Sequence, residues 1–157
     1  MLKTFDPSKT EFISYGVQYS PGEFNRARQD SKHPTRNKPY GGLWASPSDS
    51  KWGWKEWCEQ NWPENGRNWD IFTKFHVNSK AKILLIDDLS DYEEILKHYG
   101  TQVFSWHPVI NYSKLIADGW DGLFLTARGE IACHDTSLYG WDCESLVLFD
   151  NKYVEVI

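Results

Sequence analysis

The chain offers little sulfur chemistry and no long apolar run. Its three cysteines, Cys58, Cys133 and Cys143, are odd in number and show neither CxxC nor Cys/His ligand spacing. That pattern supports no disulfide framework and no zinc site, so they read as reduced thiols. No stretch approaches the roughly 18 apolar residues that cross a bilayer. The opening Met1-Leu2-Lys3-Thr4-Phe5-Asp6 lacks the apolar core of a secretion signal. The expectation is a cytoplasmic protein with no membrane contact. Positive charge is also in deficit: a net charge of -5 argues against sequence-blind coating of nucleic acid, which rests on many Lys and Arg contacts to phosphate. Internal repeats and low-complexity tracts are missing, and no second hydrophobic pattern asks for its own core. Residues 1–157 therefore read as a single domain.

What the chain has in excess is aromatic surface. Nine Trp, eight Tyr and eight Phe make up 16% of its 157 residues, more than a core of this size needs, so several are expected at a surface or along a cleft. Trp52, Trp54, Trp57 and Trp62 are the densest group, and simple packing is the plain alternative for them. The deficit of positive charge is also uneven. Residues 26–38 carry Arg26, Arg28, Lys32, Arg36 and Lys38 against one acid, Asp30. Such a run is either a solvated loop or a grip on a phosphate-bearing ligand, a cofactor pyrophosphate or a nucleic acid backbone.

Periodicity and punctuation give the elements. Residues 12–19 have strand composition and end at Ser20-Pro21-Gly22. A loop of about twenty residues follows, a length that in a compact domain points to function or disorder. It leads into strand-like Leu43-Trp44-Ala45-Ser46. Residues 52–61 read as a helix capped by Ser48 or Ser50, with Trp54, Trp57 and Cys58 on one face. Strands are expected over 70–77 and 81–86, joined as a hairpin through Asn78-Ser79. A helix over 90–99 starts at Asp87 or Asp88 and ends at Gly100, and another covers 111–118. Strands over 122–126, 130–133, 144–149 and 153–157 complete the chain. Strands outnumber helices without strict alternation, which is the α+β class.

Two segments carry candidate chemistry. Lys38-Pro39-Tyr40-Gly41-Gly42-Leu43-Trp44-Ala45-Ser46-Pro47 joins a flexible diglycine to an aromatic and a small hydroxyl in alternation. Trp141-Asp142-Cys143-Glu144-Ser145 places a carboxylate at the entrance to the apolar strand Leu146-Val147-Leu148-Phe149. In this order, about a hundred residues apart, they resemble the second and third signature elements of ADP-ribosyltransferases. The resemblance follows the order of elements over most of the chain, through short motifs. It implies a split, mostly antiparallel β core with flanking helices and a cleft between two sheets. It also implies NAD as cofactor and substrate and a macromolecular acceptor, protein or nucleic acid. Glu144 would take the catalytic place and Asp142, two positions earlier and on the same side of an extended segment, the acceptor-handling place. Trp44 and Ser46 would shape the nicotinamide pocket. Members place an Arg or His at the end of the first strand, often just before a Gly; here Tyr15 precedes Gly16. Either Tyr15 takes that role with its hydroxyl, or Arg26 or Arg28 does. Ala45 stands where the middle hydroxyl of the second motif usually lies, and Asp142 is shorter than the usual Glu or Gln.

The chemistry suits such a set. Cleaving the bond between nicotinamide and ribose passes through an oxocarbenium-like state, so a single carboxylate near the ribose serves better than a strong nucleophile, and no metal is required. By family habit the setting is a toxin of a defence or toxin–antitoxin system, or a phage factor against its host, with an antitoxin or inhibitor as further partner. The alternative from another class is a non-catalytic, Trp-rich binding module for nucleic acid or a partner protein, docking through stacking and phosphate contacts. An inert fold of this family used as an inhibitor is a third. Each residue also has a structural reading: Ser46 starting a turn with Pro47, Trp44 in the core, Glu144 as a solvated strand start. Cys133 beside His134-Asp135 does not make a nucleophile–base pair, because adjacent strand residues face opposite ways. Asp87, Asp88 and Asp91 read as a helix start rather than as metal ligands.

Overall fold

Short apolar runs bounded by caps and glycines set the architecture of the computed structural model, which describes residues 1–16, 24–101 and 108–157. The chain runs β1 (Thr4–Phe5), β2 (Phe12–Tyr15), β3 (Leu43–Pro47), α1 (Trp54–Asn61), β4 (Phe72–Val77), β5 (Ile83–Ile86), α2 (Leu89–Tyr99), β6 (Gly100–Thr101), β7 (Val109–Ile110), α3 (Tyr112–Ala117), β8 (Gly122–Leu125), α4 (Ala127–Ala132), β9 (Ser145–Leu148) and β10 (Val154–Val156). Eight strands form one curled sheet in the order β1-β5-β8-β9-β3-β2-β4-β10, antiparallel except between β5 and β8. β6 and β7 form a ladder of their own. This is α+β. No helix among the described residues is long and apolar enough to cross a membrane.

The parallel pair requires a crossover, and α2, β6, β7 and α3 supply it. Asp88 starts α2 through a capping box with Asp91, and Asn111 caps α3 by accepting the Lys114 N–H at 3.1 Å. Both sheet faces are covered along β5, β8 and β9, which is why these strands read as unbroken apolar runs. On one face Leu84, Leu123 and Val147 meet Tyr92, Ile95, Tyr112 and Leu115 from the helices. On the other, Phe12, Phe75, Val77, Ile83, Phe124, Leu146 and Leu148 gather strands from both ends of the sheet.

Several expected elements differ. Residues 130–132 form the end of α4 and Cys133 follows as its C-cap, so no strand forms there: Thr126 caps this helix by accepting the Gly129 N–H at 2.9 Å, and a three-residue apolar run cannot by itself fix its period. Asn78 does make a turn, with the Ala81 N–H donating to its carbonyl at 3.0 Å. No hairpin results, because β4 pairs with β2 and β10 while β5 pairs with β1 and β8. The turn carries the chain from one half of the sheet to the other across a shared core. Helix α1 starts later than expected, behind Gly53, and Ser50 accepts the Trp52 N–H instead of capping it. The first strand is described only as far as Tyr15, and its expected continuation through Tyr19 to Gly22 lies outside the described residues.

One feature of register positions the site. β3 pairs with β9 through Leu43, Trp44 and Ala45, but with β2 only through Ser46 and Pro47, opposite Ile13 and Phe12. Beyond that point Ser14 and Tyr15 pair with β4 alone. β2 and β3 therefore part, and the sheet splits between them.

Candidate functional site: a cleft where the sheet splits

The split opens into a cleft of about 750 Å³. Tyr15 lines it from β2 and Trp44, Ala45 and Ser46 from β3, with Trp54, Trp141 and Cys143 around them and Asp30, Arg36, Lys38 and Tyr40 from the loop that precedes β3.

That loop is held from beneath. Asn37 is buried in the left-handed region at φ 53°, a conformation that Asn tolerates better than most residues. Its Nδ2 donates to Tyr92 Oη and Ser137 Oγ at 2.8 and 2.9 Å, and its Oδ1 accepts the Ile110 N–H at 2.8 Å. Its carbonyl accepts from Tyr112 Oη and Trp141 Nε1 at 2.7 and 3.0 Å. One side chain and its peptide thus tie the loop to α2, α3 and the cleft wall. The diglycine is a fixed turn rather than a flexible one. Gly41 and Gly42 have φ of 77° and 82°, and a Cβ on them would lie 2.7 Å from the Arg26 carbonyl and 2.8 Å from the Leu148 carbonyl. Only glycine meets both demands.

The expected residues are distributed as follows. Tyr15 is half-buried, edge-on to Trp69 at 5.2 Å and to Phe72 at 6.2 Å. Burial pushes its phenol up, so it stays a neutral donor. Gly16, at φ 91°, donates its N–H to the Ile71 carbonyl just outside the lining. Trp44 is T-shaped to Trp141 at 4.9 Å, with Lys38 Nζ 5.8 Å from its ring centre. Ser46 Oγ donates to the Glu144 carbonyl at 2.8 Å and accepts the Trp54 N–H at 3.1 Å, joining β3 to the entries of β9 and α1.

Asp142 and Glu144 do not lie along one extended segment. Asp142 closes the 3-10 turn Tyr139–Trp141 at φ 65°, which breaks the alternation that would aim both carboxylates the same way. Burial pushes the Asp142 carboxyl up while the nearby Lys38 ammonium pulls it down, and burial lowers Lys38 in turn. The Glu144 carboxylate accepts the Ala127 N–H at 3.2 Å, at the first turn of α4, and is not part of the lining. Arg26 and Arg28 do not line the cleft either: Arg26 reaches Asp150 at 3.5 Å, and Arg28 lies over the Tyr40 ring at 4.5 Å.

Tyr40, Trp54 and Trp141 line the cleft without having been given a role by the motifs, while Arg36 and Lys38 belong to the basic run expected to grip a phosphate-bearing ligand. The basic run contained the two cations, but which of its members turn inward depends on the left-handed Asn37. Cys143 also lines the cleft, and burial pushes its thiol up to about 11, so it remains protonated at neutral pH. The Cys133 thiol is likewise raised to about 11 by burial, and His134 faces Glu130 at 3.6 Å. The acids around the start of α2 are engaged: Asp88 and Asp91 form its capping box, and the Asp87 carboxylate accepts from Thr126 Oγ1 at 2.7 Å and meets Arg128 at 2.9 Å.

The arrangement is suited to a ligand with ring systems and negative charge. It has aromatic edges and faces for the rings, two cations for the charge, of which Arg36 lies 4.0 Å from the buried Asp30 carboxylate that also lines the cleft, and hydroxyls for orientation. Comparison of the chain with protein-family models, with curated proteins and with solved structures finds no match. The site is therefore read from its own geometry.

Proposed function

We propose that the chain is an NAD-dependent ADP-ribosyltransferase of ADP-ribosyltransferase-like fold, modifying an intracellular macromolecule, with the cleft between β2 and β3 as its cofactor site. One observation carries this reading. Three segments far apart in sequence, represented by Tyr15, by Trp44 to Ser46 and by Cys143 and Ser145, meet around a single split in the sheet, tied by the 2.8 Å hydrogen bond from Ser46 Oγ to the Glu144 carbonyl.

The chemistry that belongs to such a site is cleavage of the bond between nicotinamide and ribose. The electron pair leaves with nicotinamide, and an acceptor nucleophile bonds to the ribose carbon as it loses its proton. Lys38 and Arg36 hold the pyrophosphate, while Trp44 and Trp54 flank the nicotinamide. Cys143 and Ser145 bring their segment to the cleft, and Glu144 between them, whose carboxylate accepts the Ala127 N–H, is the acid this reading assigns to the ribosyl cation, with Asp142 taking the acceptor's proton. A toxin or phage factor restrained by an antitoxin is the setting that goes with this activity.

The engagement of Glu144 by Ala127 favours a second reading, a non-catalytic module that uses the same aromatic and cationic cleft for binding alone. One experiment separates them. The purified protein is incubated with NAD and lysate, with nicotinamide release and labelled ADP-ribose followed on protein, DNA and RNA, and Glu144→Gln run in parallel. The amide retains an oxygen for the Ala127 N–H, so the fold persists. Label that disappears in Glu144→Gln supports the transferase. Absence of release, of label and of NAD binding in calorimetry leaves the binding module.

A further inference from the structure

The fold sorts the cations of the 26–38 loop into two sets. Arg36 and Lys38 line the cleft, whereas Arg26, Arg28 and Lys32 stand exposed outside it. Among the described residues neither Arg28 nor Lys32 closes an ion pair, and Arg26 meets Asp150 at 3.5 Å with its own side chain 78% exposed. The loop's single acid faces inward. Asp30 is buried, and its Oδ1 accepts the Lys32 and His33 N–H groups at 3.1 Å each. A chain with net charge -5 thus places two cations without an ion pair among the described residues, Arg28 and Lys32, and the exposed Arg26 beside its cleft.

Tyr40 connects this patch to the cleft. The residue is 46% exposed and borders the cleft, and its ring carries the Arg28 guanidinium 4.5 Å from its centre. Backbone hydrogen bonds of 2.9 and 2.8 Å between Arg28 and Tyr40 fix the pair in register. The patch is also anchored: the Ala27 N–H donates to the Phe149 carbonyl at 3.0 Å, and Gln29 Oε1 accepts the Tyr112 N–H at 2.8 Å. A surface ordered in advance loses less entropy when it binds. An exposed ring flanked by guanidinium is suited to stacking a base while the neighbouring cations meet phosphates.

We propose that this face binds the acceptor, and that the acceptor is a single-stranded nucleic acid whose backbone crosses Arg26, Arg28 and Lys32 while a base stacks on Tyr40 at the cleft edge. A duplex keeps its base faces stacked inside, which is why the exposed ring points to a single strand. The claim that the bound strand is modified rests on the transferase reading; its binding does not.

Fluorescence anisotropy with a labelled mixed-sequence single-stranded DNA oligonucleotide, its RNA counterpart and the matching duplex tests the surface. The single strands should bind with affinity that falls as salt rises. Replacing Arg26, Arg28 and Lys32 together by Ala should make that slope shallower by about 2, because each phosphate contact on a single strand contributes about 0.7. Tyr40→Ala should weaken binding about fivefold or more at unchanged slope. NAD titration of the triple variant by calorimetry should match the parent. Failure of the single strands to bind, equal binding of the duplex, or loss of NAD affinity in the triple variant each overturns the proposal. Label that appears on protein while the oligonucleotides stay unmodified identifies a protein acceptor and overturns it as well. Strand binding with these dependences but without nicotinamide release leaves the surface standing and removes the transferase.

Discussion

The two halves of the sheet are built to different standards. In β8 and β9 every residue is buried, because helices cover one face and the shared core the other. In β4 burial alternates, and β10 is mostly exposed. β3 belongs to the first half by most of its pairing and meets the second only at Ser46 and Pro47. The cleft lies at that junction, with one wall locked on both sides and the other, carrying Tyr15, supported on one face. Precision at a site comes from the wall that cannot move, and Ser46 with the Glu144 backbone stands on it.

The contrast predicts graded responses. Leu123→Ala, in the doubly covered half, should cost about 2–5 kcal/mol, measured by denaturant unfolding. A loss below about 1 kcal/mol would mean that the half packs loosely. Gly42→Ala forces a Cβ toward the Leu148 carbonyl at a φ of 82° and should cost about 2–3 kcal/mol. A neutral result would show that the loop yields and that the wall behind it is soft.

The Cys143 thiol gives a pH test of the same wall. Its native value is raised from 9.0 to about 11, so between those values the unfolded chain has released the proton while the native chain keeps it. Stability should therefore fall as pH rises through that window. The wild type should lose on the order of 2 kcal/mol more than Cys143→Ala between pH 8 and pH 11, compared by urea melts at each pH. Parallel curves would place the thiol in contact with water. The smallest effect is expected from Phe72→Ala in β4, where 42% of the residue is exposed: stability should change by about 0.5 kcal/mol. A large loss there would erase the distinction between the halves.

Local chemistry made much of this fold legible in the sequence. Asp87 or Asp88 and Asn111 marked the starts of α2 and α3, and the apolar runs of β5, β8 and β9 marked strands. What stayed hidden depends on distant partners. The 130–132 segment is helical because Thr126 caps it, and β4 and β5 are separated although a turn joins them. β1, β6 and β7, two residues each, are shorter than any periodic signal. The cleft divides in the same way. Tyr15, Trp44 and Ser46 stood out as residues, but the parting of β2 from β3 is a matter of register, which single residues do not encode. The sorting of Arg36 and Lys38 from Arg26 and Arg28 turns on one left-handed Asn, and the aim of Glu144 on the helix start opposite it.

The pairing of β3 also sets an order of events. Its partner β9 is made about a hundred residues later, so during synthesis the edge carrying Leu43, Trp44 and Ala45 has no mate, and the chain must hold it from other copies until β9 emerges. Trp141, Cys143 and Ser145, which complete the cleft, are made together with β9. A nascent chain therefore has no complete cleft until the segment carrying Trp141, Cys143 and Ser145 has been made.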